Sequence, residues 1–150
     1  MPPCPMPTFK HLLVPLDGSA LSARAVEVGL DLARDFGAAI TAFVAELPAP
    51  APATGRGVWH HLHAVEAQRE VAERHAEGVL AAFERRALEA GIPFEGLYAQ
   101  STDIDGAIDA VARQRGCDLI VMATHGPGRL RRSWTQRVMA RSPLPLLVVH

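Results

Sequence analysis

Four short runs of this chain are almost unbroken in apolar character: LLVPL at 12–16, AITAFVA at 39–45, LIVM at 119–122 and LPLLVV at 144–149. Between them, apolar residues recur every three or four positions, the spacing of a helix face. A strand with one wet face alternates apolar and polar residues. A strand apolar throughout is covered on both faces, as in a parallel sheet between helices. With a weaker fifth run at 94–99, the order is β-α-β-α-β-α-β-α-β. Such alternation predicts an α/β fold: an open five-stranded parallel sheet with helices on both faces, joined by right-handed crossovers.

The punctuation agrees with this reading. Asp17-Gly18 ends the first run and Ser19 can cap the helix that follows, which carries Ala23, Val26, Leu30 and Ala33 on one face and stops at Gly37. A proline- and alanine-rich connection at 47–57 leads into a long helix from about Trp59 to Ala90. Its inner face holds Ala72, Ala76, Val79, Leu80, Phe83, Ala87 and Ala90, and Gly91-Ile92-Pro93 ends it. Thr102 or Asp103 can cap the third helix, which closes at Gly116; Asp103, Asp105 and Asp109 read as its start and exposed face. Ser133–Arg141 has helical spacing and ends at Ser142-Pro143.

At 150 residues the chain fits one domain at 9–150, preceded by a loose tail at 1–8 that contains four prolines. The net charge of −1 gives no electrostatic reason to expect nucleic acid or membrane as a partner. No apolar run approaches the ~20 residues of a membrane span. The N-terminus lacks a secretory pattern, and Cys4 and Cys117 lie too far apart in sequence to suggest a disulfide framework, so a reducing cytoplasm is expected.

In open parallel sheets ligands bind beyond the carboxyl ends of the strands. That places Asp17 after the first strand and the segment 124–132 after the fourth as neighbours. Gly126-Pro127-Gly128-Arg129 has the makings of an anion site. Glycines let backbone N–H groups turn inward, the helix start near Ser133 favours negative charge, and Arg129, Arg131, Arg132 and Arg137 add positive charge. Pro127 takes one N–H away. The other reading is a tight surface turn with solvated arginines, and Asp17 and His125 read equally as cap and loop residues. His60 and His63 can share a helix face, but no further ligand stands at zinc spacing. No Ser-His-Asp or Cys-His arrangement is evident. The terminal run Leu144–Val149 is a candidate bare edge for pairing with a second copy.

Three segments resemble the universal stress protein family: HLLVPLDGSALSARAVEVGLDLAR, GCDLIVMATHG and RVMARSPLPLLVV. The resemblance spans nearly all of Phe9 to Val149. It implies the same fold, Rossmann-like and of the adenine nucleotide alpha hydrolase type, and a homodimer through Leu144–Val149. It also implies a stress-response regulator or sensor rather than a fast enzyme, with ATP or another adenine nucleotide and Mg as ligands. The nucleotide- or phosphate-binding positions it points to are Pro15, Asp17, Ala45, Ala123, His125, Gly126, Gly128, Arg129, Arg132, Ser133 and Trp134. The ATP-binding branch has a glycine motif that this chain shortens: Ala123 stands at the first glycine, Gly126 at the second, Arg132 at the third and Ser133 at the Ser/Thr position. The alternative is a dimeric interaction protein of the same fold with a degenerate pocket.

Overall fold

The computed structural model of the chain describes residues 8–16, 20–46, 58–123 and 134–149, with backbone only at 20, 21, 58–65, 134 and 135. Nine elements alternate within them: β1 (His11–Leu16), α1 (Ala20–Phe36), β2 (Ala39–Glu46), α2 (Val58–Glu89), β3 (Phe94–Gln100), α3 (Ile104–Arg115), β4 (Leu119–Ala123), α4 (Trp134–Arg141) and β5 (Leu146–Val149). The five strands form one parallel sheet in the order β3-β2-β1-β4-β5.

The unbroken apolar strands behave as expected. β1 and β2 have their apolar residues buried on both faces, and alternate residues feed two separate cores. Leu12, Val14, Leu16, Ile40, Ala42 and Val44 join α1 and α2 on one side. Leu13, Phe43, Ala45, Ile120 and Met122 join α3 and α4 on the other. β5 is an edge strand. It begins at Leu146 rather than Leu144, because Pro145 has no N–H and contributes only its carbonyl, which accepts from the Ile120 N–H at 3.0 Å.

Two helix faces differ from the sequence expectation. On α1 the buried stripe runs through Ser22, Ala25, Leu30 and Ala33, while Ala23 is exposed. Both stripes fit a helical period. Gly29 selects between them, since a Cβ there would come within 3.2 Å of Val14 Cγ2, so the helix lies directly on β1 at that point. On α3, Asp105 and Asp109 are half-buried, with side chains 17% and 14% exposed, not on an open face. Ala90, expected on the inner side of α2, lies past the helix end and is exposed. The glycine stops hold: Gly37, Gly91 and Gly116 all have φ near +70°, the left-handed conformation that closes a helix.

Candidate carboxyl-edge binding site

The chain leaves β1 for β2 and β3 on one side, then crosses back to β4 and β5 on the other. The direction of winding therefore reverses between β1 and β4, and a crevice is expected at their carboxyl ends. The hydrogen bonds show how it opens. The Lys10 carbonyl accepts from Ala39 of β2 and the His11 carbonyl accepts from Asp118 beside β4. Even residues of β1 thus turn toward β2 and odd residues toward β4. Pro15 is odd, so the N–H it lacks is one owed to β4. Registered pairing of β1 with β4 stops at Leu13 with Ile120, while pairing with β2 runs on through Pro15–Phe43 to Leu16–Val44.

Around this opening the structure gathers Pro15, Ala45 and Ala123. Ala45 follows the partner of Leu16 and is buried; Ala123 ends β4, paired with Val149 of β5. Small residues at both positions leave room beyond the strand ends. Trp134 opens α4, whose first turn supplies backbone N–H groups, though its side chain is not among those described. Asp17, His125, Gly126, Gly128, Arg129, Arg132 and Ser133 lie outside the described residues, as do the tail 1–7, the 47–57 connection and the side chains of His60 and His63.

Two polar groupings on this rim escape a reading of the sequence. At the end of β2 and β3, the Tyr98 hydroxyl donates to Glu46 at 3.4 Å and accepts from Gln100 Nε2 at 3.1 Å. Burial above all, then the neighbouring Glu46 charge, holds the Tyr98 phenol above its ordinary pKa, so it stays a donor at neutral pH. Glu46 also borders a shallow hollow of about 420 Å³ against α2, with Ala67, Val71 and His75 on its far wall. On the other face, Asp103 caps α3 by accepting from the Gly106 N–H at 3.2 Å, and Arg141 donates to both of its carboxylate oxygens. That contact ties the end of α4 to the start of α3. The alternation of Glu46 and Tyr98 with their buried neighbours was visible in the sequence; that β3 lies against β2 in this register was not.

Chemically the described rim offers small apolar surface and hydrogen-bonding groups. Among the described residues no group of three or more His, Cys, Asp or Glu is placed to hold a metal ion. The Cys117 thiol is buried and its pKa is pushed up to about 11, chiefly by desolvation, so it is a poor nucleophile. No helix among the described residues is long and apolar enough to cross a membrane.

Comparison with known proteins gives a consistent answer. A universal stress protein of Methanocaldococcus jannaschii is 25% identical over 146 residues, covering 94% of this chain and 82% of its own length. The crystal structure of a universal stress protein family member from Burkholderia pseudomallei superposes with a TM-score of 0.72 at 25% identity, over 97% of this chain and 98% of that one. A universal stress protein solved in complex with cAMP shares the fold, with a TM-score of 0.66 at 23% identity over 96% and 98% of the two chains. The model of the universal stress protein family matches residues 8–150, and the chain belongs to that family.

Proposed function

We propose that this protein binds an adenine nucleotide at the carboxyl edge of the sheet and acts as a stress-response regulator or sensor in the cytoplasm. The observation that carries the reading is the parting of β1 and β4 at Pro15, floored by Ala45 and Ala123, at the reversal of the sheet. A relative of the same fold was solved with cAMP, which supports the ligand class. In this reading Pro15, Ala45 and the Asp17 carboxylate border the nucleoside. Ala123, His125, Gly126, Gly128, Arg129, Arg132, Ser133 and the α4 start at Trp134 surround the phosphates, with Mg²⁺ as counter-ion. Arginine takes over part of the role that backbone N–H groups play in a longer glycine loop. Nothing in this arrangement supplies a base for water, so turnover is not part of the proposal.

Mass spectrometry of small molecules released from protein purified without added ligand tests the reading directly, and an adenine nucleotide is the expected result. Thermal unfolding gives the second test. ATP with Mg²⁺ at a hundred times its Kd should stabilise the fold by about 2.7 kcal/mol. An unchanged Tm at millimolar ATP, together with no released nucleotide, would sink it.

A second reading rests on β5. It is a parallel edge strand with Leu147 37% exposed, and an unpaired edge of that kind invites pairing with the same strand of a second copy. A homodimer through this strand accommodates nucleotide binding, and it also accommodates a degenerate pocket in which the dimer alone carries the function. Sedimentation of wild type and of Leu147→Lys separates these: a dimer that the substitution dissociates while ATP has no effect on Tm favours the second reading.

A further inference from the structure

The crevice leaves one enclosed apolar space unused. α1 and α2 lie side by side on one face of the sheet, and near the start of α1 they part around a gap of about 270 Å³. Val26, Val79 and Phe83 line it, and the small exposed residues Ala23 and Ala82 leave it open to solvent. Arg86 and Glu27 span the mouth, joined by two parallel contacts, one of them Nη2 to Oε2 at 2.8 Å. The gap is larger than the ~150 Å³ apolar cavity that accepts benzene, and its walls hold water poorly.

The charges at the mouth choose the kind of occupant. Three carboxylates, Glu27, Asp31 and Glu89, act on Arg86. Only one other guanidinium is engaged with them, Arg34, which pairs with Asp31 at 2.9 Å. The mouth thus carries three negative and two positive groups, so it attracts a cationic head and repels an anionic one. We propose that the gap between α1 and α2 binds a small hydrophobic amine, an aromatic or aliphatic body carrying one ammonium group. The body lies on Val26, Val79 and Phe83, and the ammonium is held by Glu27, which shares its carboxylate between the ligand and Arg86. The exposed ion pair yields at little cost, because such pairs are worth little in water.

The probes are 2-phenylethylamine, 2-phenylethanol and 3-phenylpropionate, titrated into the full chain and followed by NMR. The amine is expected to bind about fivefold tighter than the alcohol, the difference a surface charge contact makes, and the acid weakest of the three. Glu27→Gln should reverse the order of amine and acid, because Arg86 is then left without its partner. Ala82→Phe, or Ala23→Phe from the facing helix, should fill the gap and abolish binding of amine and alcohol alike. Both sites are exposed, so either variant should fold, as circular dichroism would show. Absence of saturable binding up to about 10 mM amine overturns the proposal, as does acid binding as well as amine to the wild type. So does amine binding that survives both phenylalanine substitutions.

Discussion

β1 and β4 are fastened at one end and parted at the other. At their amino ends, Asp118 accepts from the Lys10 N–H at 2.8 Å and the His11 N–H at 3.0 Å, and returns its own N–H to the His11 carbonyl at 2.9 Å. Beside this staple, His11 Nε2 and Thr41 Oγ1 share a hydrogen across 2.6 Å, with Thr41 fully buried. At their carboxyl ends the same two strands lose their pairing beyond Leu13–Ile120, where Pro15 has no N–H to give. The contrast lies in where polar backbone is satisfied. The amino edge closes every donor it can and is built for stability. The carboxyl edge leaves room that a ligand with its own donors and acceptors can use.

The largest test of the contrast is on the closed side. Asp118→Ala leaves two backbone donors at the head of β1 without their carboxylate, and unfolding should become easier by about 2 kcal/mol, measured by urea denaturation. ATP affinity should stay as in the wild type once the folded fraction is allowed for. A matching loss of affinity would mean that the two ends of the strands are not independent.

On the open side, Pro15→Val restores a donor that points toward β4 and lets the ladder continue. Stability should change by no more than about 1 kcal/mol, because the new hydrogen bond is offset by the more flexible unfolded chain. Nucleotide binding should weaken about tenfold as the strands close on each other, equivalent to about 1.4 kcal/mol, read by calorimetry. Unchanged affinity in a variant whose β1 and β4 amides show new hydrogen-exchange protection would break the link between proline and crevice.

Much of the fold was legible because burial on two faces leaves a strong mark on a strand. LLVPL and LIVM could not serve as half-exposed strands, and glycines at 37, 91 and 116 could only end helices. What stayed hidden depends on contacts distant in sequence. Nothing local distinguishes Asp118 from any other acid before a strand; its partners lie 107 and 108 residues away. The choice between Ala23 and Ala25 for the inner face of α1 turns on where Gly29 meets Val14. Asp109 looked exposed because acids near a helix start usually are. It packs instead half-buried with Arg113 at 3.1 Å, and its Oδ1 is buried without a hydrogen-bond partner. At the candidate site the small residues Ala45 and Ala123 stand at the sheet edge where the sequence reading expected them. The glycine–arginine loop lies outside the described residues, so the chemistry of the phosphate end rests on its sequence.

The smallest effect concerns how the open edge is kept in shape. Asp103 holds the first turn of α3 through the Gly106 N–H and receives Arg141 from the end of α4. A Cβ at Gly106 would fall 2.2 Å from Asp103 Oδ2, so the cap also requires a glycine there. The Gly106 hydrogen bond first, and Arg141 next, hold the Asp103 carboxyl below its ordinary pKa. A depressed folded pKa means the contribution is present above the ordinary carboxylate pKa and fades as pH falls through the lower folded value. Asp103→Asn keeps the capping oxygen and loses the charge, whereas Asp103→Ala loses both. At pH 7 the alanine variant should melt a few degrees lower and the asparagine variant less so. Well below pH 4 the wild type should approach the asparagine variant. If Asp103→Ala lowers Tm equally at pH 7 and at acid pH, the ion pair to Arg141 adds nothing, and α4 is held at the rim by Val138 in the apolar core alone.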